Sequence, residues 1–230
     1  MNDFWTNTVF FGALISLLAY EVGLLARKKL KLAVFNPLLI AVLCVMAANR
    51  VLGVDYEQYN RGGQYLSYLM TPATVALAVP LYEQLHLLKK NWKAVLGGIS
   101  AGVLAGAGGI WALSKLFGLQ HEQYVTFLPK SITTAIGMDV SAQLGGVVAI
   151  TTATIIITGI LGNVIAEGVF HVFKIHEPVA RGLALGNSAH AIGTAKAMEL
   201  GPVEGAMSSL AIVVAGVMTV VAASVFAHAL

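Results

Sequence analysis

Two short stretches of the chain carry side chains able to handle a charged small molecule. The first holds Lys130, Ser131, Thr133 and Thr134; the second holds Asn187, Ser188, His190 and Thr194. A lysine among hydroxyls suits a carboxylate, since the ammonium supplies charge and the hydroxyls replace lost hydration. Lys130 also fits an interfacial lysine snorkelling toward water. Imidazole titrates near neutral pH, so His190 is a candidate for coupling a proton to ligand movement; a hydrogen-bonded packing histidine explains it equally well. Asp139 and Glu199, near the ends of the two stretches, are the other proton-coupling candidates. Lys196 precedes Glu199 by three residues, the spacing of an ion pair on one helix face. Glu167 and His171, four apart, are expected to pair with each other.

Catalysis finds little support in these residues. Lys130 and Ser131 resemble a Ser–Lys dyad, but adjacent residues on a helix point in different directions. Ser188 with a single His190 is no more specific. No glycine-rich phosphate loop follows a strand, and no Cys/His cluster has metal-ligand spacing. The expectation is no enzyme, no metal and no cofactor.

The elements that must position these residues are membrane helices. Of 230 residues, 57% are hydrophobic and 11% charged, against about 25% charged in an ordinary soluble domain. A crossing needs about 20 apolar residues, so the length leaves no room for a soluble domain. The net charge of +3 does not point to nucleic acid, because the basic residues sit in short clusters between apolar segments, as topology determinants do. Cys44 lies in an apolar run and reads as a small hydrophobe. The first apolar stretch lacks a basic leader and cleavage site, and is expected to be a retained helix.

Expected crossings run from Phe4 to Ala26, Asn36 to Leu52, Leu66 to Leu88 (broken by Pro72 and Pro80), Trp92 to Phe117, Gly145 to Phe173 and Val203 to His228. Asp55 to Gln64 reads as an interfacial segment. The glycines of the fourth crossing are read as helix packing, with a homo-oligomer as a further expectation. Leu128–Leu144 and Ala184–Leu200 are too short and polar for comfortable spans. They are expected to be re-entrant or broken. The basic residues Arg27, Lys28, Lys29, Lys31, Lys89, Lys90, Lys93, Lys174 and Arg181 then share one side against Arg50, Arg61 and Lys115. The positive-inside rule makes the richer side cytoplasmic and turns both termini outward.

The two polar stretches resemble each other. Ala135-Ile136-Gly137 is followed after six residues by Leu144-Gly145, and Ala191-Ile192-Gly193 after six by Leu200-Gly201. In this topology they enter from opposite sides, which is the pattern of an inverted repeat in secondary transporters; likeness of composition alone is the alternative. The expected fold is thus an all-α polytopic membrane protein of about six crossings plus two broken helices. Residues 1–127 form mainly a scaffold, and 128–173 and 184–230 form a repeat pair around the site.

Three separated motifs carry a family resemblance. Pro72-Ala73-Thr74-Val75-Ala76-Leu77-Ala78-Val79-Pro80-Leu81-Tyr82, Leu128-Pro129-Lys130-Ser131 with Thr133-Thr134, and Gly186-Asn187-Ser188-Ala189-His190 through Gly193-Thr194-Ala195 to Glu199 are similar to the LrgB/CidB family of bacterial membrane proteins. The resemblance covers nearly the whole chain. It implies a cytoplasmic (inner) membrane location and two functional traditions. One is holin-like or antiholin-like control of murein hydrolase export and autolysis with an LrgA/CidA-like partner. The other is transport of small monocarboxylates such as pyruvate, and a chloroplast relative carries glycolate and glycerate. Residues and resemblance together place first a carrier of small organic anions working by alternating access, with lysis control as the alternative.

Overall fold

The computed structural model describes residues 8, 10–30, 35–76 and 78–230. Among these, every regular element is an α-helix. The start of the expected first crossing (4–7 and 9) and Lys31 lie outside the described residues. The chain divides into two compact units, one ending at Ala76 and one running from Leu77 to Leu230.

The first unit contains α1 (Phe11–Leu30), α2 (Pro37–Leu52), α3 (Tyr56–Ser67) and α4 (Met70–Ala76). Asn36 starts α2 by accepting from the Leu38 and Leu39 amides at 2.8 and 3.3 Å, with Pro37 in the first turn where no N–H is needed. The expected interfacial segment is the polar helix α3, opened by an Asp55–Gln58 capping box. Gly23 lies against the Pro37 backbone and Gly12 against Tyr59 and Gly63, positions where a methyl group would collide. Close approach of this kind is how helices associate in lipid.

The second unit contains α5 (Ala78–Glu83), α6 (Leu85–Phe117), α7 (His121–Phe127), α8 (Thr134–Gln143), α9 (Val148–Val172), α10 (Pro178–Leu200) and α11 (Pro202–Ala227). The expected third apolar segment is thus divided, with α4, α5 and the start of α6 sharing it. Pro72 and Pro80 each fall in the first turn of a short helix, where proline is tolerated. Among the described residues, three helices are long and apolar enough to cross a bilayer: Lys89–Phe117 within α6, α9 and α11. Pro37–Leu52 is a shorter apolar helix.

The closest pairing is α10 on α11. Gly182 meets Glu204 and Met207, and Gly186 meets Ser208 and Ala211, so any side chain at either glycine would strike α11. Ala206, Met207, Ala211 and Ala215 complete this core with Val95, Ile99 and Val103 of α6. The glycines of α6 behave differently from the packing expected of them. A methyl group at Gly97, Gly106, Gly108 or Gly109 would meet nothing within 4 Å, and only Gly102 is tightly covered.

Candidate functional site

The first polar stretch lies between α7 and α8. After α7 the chain turns through Leu128 to Ser131, and Thr133 opens α8 in an extended conformation without a side-chain capping bond. At ten residues, α8 is about 15 Å long, half of a roughly 30 Å hydrocarbon core. Buried hydroxyls anchor it. Thr151 Oγ1 of α9 donates to the Thr126 carbonyl at 2.8 Å and lies 2.7 Å from Ser141 Oγ of α8. Thr126 Oγ1 in turn accepts from the Val147 amide at 2.8 Å. Gly145, with φ of 83°, turns the chain into α9, a conformation glycine adopts without strain.

The second polar stretch is part of α10, which breaks at His190 (φ 42°, ψ −133°). Positive φ is unfavourable for a residue with a Cβ. The break leaves a segment, 191–200, of the same length as α8. His190 is 3% exposed, and its Nε2 lies 3.0 Å from the Ile155 carbonyl. A carbonyl only accepts, so Nε2 carries the proton and donates. Thr194 Oγ1 donates to the His190 carbonyl at 3.1 Å and sits 2.7 Å from Ser208 Oγ on α11. His190 and Thr194 therefore hold the break together.

A cavity of about 900 Å³ lies between α6 and α10. It brings together Lys130, Ser131, Asn187 and Ser188, four of the residues singled out from sequence. Lys130 Nζ donates to Ser131 Oγ at 2.8 Å, which leaves two ammonium hydrogens and the Ser131 hydroxyl hydrogen for an anion. Asn187 Nδ2 donates to the Ile99 carbonyl at 3.2 Å, directly over Gly102, where a methyl group would overlap the amide. Ser188 Oγ donates to the Ala184 carbonyl at 2.6 Å. Lys130 with the adjacent Ser131 hydroxyl is a setting for a carboxylate, and Lys90 and Glu177 add one charge of each sign to the same wall.

The remaining sequence candidates stand elsewhere. Thr133 and Thr134 are half-buried at the start of α8, and Asp139 is exposed on it. His190 and Thr194 are outside the cavity lining. Glu199 lies 3.4 Å from Lys196, the pair expected from spacing. Glu167, expected to pair with His171, instead pairs with Lys196. One turn away, Asn163 Nδ2 of α9 donates to the Ile192 carbonyl at 3.2 Å. Together these contacts fasten 191–200 to α9.

Sequence reasoning missed Lys90, Asn91 and Glu177 in the cavity wall, and the wall formed by Gly98, Gly102 and Gly106. Their signal was present: Lys90, Ala94, Gly98, Gly102 and Gly106 recur every four residues, one ridge of a helix. It also missed Glu204, buried in the first turn of α11, where the helix dipole favours a carboxylate.

Comparison with known proteins agrees along the full length. A model of the LrgB-like family matches residues 16–229. Relatives named antiholin-like protein LrgB, from Bacillus mycoides (strain KBAB4), Bacillus cereus (strain B4264) and Bacillus anthracis (strain CDC 684 / NRRL 3495), are each 37% identical over 222 residues, 96% of both chains. No solved structure matches. With its apolar helices and these bacterial relatives, the chain is a bacterial membrane protein and belongs to the LrgB-like family.

Proposed function

We propose that this protein has an antiholin-type role in controlling cell lysis, a non-enzymatic function exercised in the bilayer. The observation that carries this reading is the match to relatives so named over 96% of the chain. It reverses the order reached from residues and resemblance together, which put a carrier first. The resemblance adds an LrgA/CidA-like membrane partner. In a strain lacking its own family member, restoring this chain together with that partner should slow autolysis after energy depletion. Unchanged lysis would count against the reading.

A second reading, a carrier of small monocarboxylates, is favoured by a specific observation: Lys130, Ser131, Asn187 and Ser188 converge on one cavity. Large lesions need a polar stripe along an oligomer, whereas here the polar groups form a local site. We place the substrate carboxylate at Lys130 and Ser131, with proton coupling at His190, Asp139 or Glu199. The topology that goes with it has six crossings and two broken helices in an inverted repeat, both termini outside. Reciprocal contacts support the repeat, since Ile136 of α8 lies near Gly216 of α11 while Ile192 lies near Gly159 of α9. A homo-oligomer would use the uncovered glycines of α6. Liposomes holding the protein alone, labelled pyruvate outside and a dye inside, separate the readings. Saturable uptake without dye loss supports the carrier, dye loss a pore, and no flux a regulator that needs its partner.

A further inference from the structure

Lys130, Ala184 and Ser188 belong to the walls of two cavities. The second, about 350 Å³, is a half-open groove on the α9 side of α10; its walls include Phe170 and Leu185, which are buried, and Leu161, Ile165 and Val169, which are partly exposed. Among the described residues, Lys130, Ser188 and Thr158 are the polar side chains that line it. The two chambers therefore share a cationic wall but differ in chemistry. A route for a free carboxylate would have to be wet, and this one offers alkyl groups. Leu161, Ile165 and Val169 follow each other every four residues along α9, a ridge about 12 Å long at 1.5 Å per residue.

We infer that the smaller chamber is an annex for the alkyl tail of a medium-chain monocarboxylate whose headgroup rests on Lys130. The inference depends on the anion site of the carrier reading and extends its ligand class. Charge complementarity selects the headgroup, because among the described residues Lys130 is the charged one in this wall. The apolar walls select the tail: each methylene moved from water into them raises affinity about fourfold. A dicarboxylate places its second charge against Leu161, Ile165 and Val169, alkyl groups that offer it neither an opposite charge nor a hydrogen-bond donor. Pyruvate occupies only the head position.

The test is binding to the full chain in nanodiscs, with protein-free nanodiscs measuring partition into lipid. The probes are pyruvate, butyrate, hexanoate, octanoate and succinate, measured by equilibrium dialysis. Corrected affinity should rise about fourfold per methylene from butyrate to octanoate, with succinate unbound. Leu161→Trp, which fills the annex from a residue outside the larger cavity, should flatten the series and leave pyruvate binding unchanged. Ile165→Trp serves if Leu161→Trp does not fold. Lys130→Met should abolish saturable binding of every probe. A flat series in the wild type, as when a phospholipid tail permanently fills the chamber, overturns the annex. So does a gradient that survives Leu161→Trp. Pyruvate binding with a flat series removes the annex alone. Octanoate binding without pyruvate binding removes the pyruvate-sized carrier and keeps the annex. No binding of either overturns both.

Discussion

Replacing His190 by glycine and by alanine should order their stabilities opposite to the usual helical rule. In a continuous helix, glycine is less stable than alanine by about 1 kcal/mol. His190 has φ of 42° and ψ of −133°, where any Cβ is strained, and left-handed backbone disfavours an L residue by roughly 1–2 kcal/mol. Both substitutions remove the bond to the Ile155 carbonyl and most of the imidazole volume, so those losses largely cancel between them. The residual difference is backbone strain, and His190→Gly should be more stable than His190→Ala by about 1 kcal/mol. Ala197, buried in the helical part of the same segment, is the internal control: Ala197→Gly should lose stability. Unfolding in mixed micelles by SDS titration, followed by circular dichroism, gives the required differences. If His190→Ala equals or exceeds His190→Gly, residue 190 lies in ordinary helix. The broken-helix account of 184–200 then falls.

Three further outcomes follow from specific contacts. Gly186→Ala places a methyl group against the Ser208 backbone and should destabilise by about 1–3 kcal/mol, whereas Gly109→Ala, with open space, should be neutral or slightly stabilising; thermal melts of the two check this. Thr151→Val removes the hydroxyl that links α9 to Thr126 and Ser141 and should cost about 1–2 kcal/mol, read by SDS titration. A double-mutant cycle of Glu167→Gln with Lys196→Met should give a coupling of about 1 kcal/mol, since the glutamate is largely exposed and screened. The cycle with Glu199→Gln should give less, because that contact is longer.

Much of the second unit was legible because local signals coincide with local structure. The expected limits at Phe117 and near Val203 match the end of α6 and the start of α11, and the Lys196–Glu199 pair follows from spacing alone, whereas α10 begins at Pro178, ahead of the expected start at Ala184. Long-range partners were not legible. Glu167 lies four residues from His171 on one face, yet Lys196, 29 positions away, reaches it because 191–200 packs along α9. The glycines of α6 were visible as a stripe but were assigned to packing. A wall of small residues reads the same whether a helix or an empty chamber faces it, and only tertiary structure tells them apart.

The same distinction bears on how a membrane protein tolerates Lys130. A lysine at depth is disfavoured by about 2.5–3.5 kcal/mol on insertion scales, and Lys130 has a single hydroxyl as its recorded side-chain partner. Lys196 shows the structural solution in this chain, a buried ammonium answered by two carboxylates. Lys130 has no such answer among the described residues. It lies instead in the wall common to two chambers. On the carrier reading, water in the larger cavity would solvate the ammonium at rest, and an entering carboxylate would replace that water with an opposite charge. This difference between two lysines of one fold separates a ligand site from a structural brace. It also predicts that Lys130→Met, unlike Lys196→Met, leaves stability unchanged or raised while binding is lost. If Lys130→Met unfolds the protein as readily as Lys196→Met, Lys130 is a brace too, and the anion site loses the cation beside Ser131.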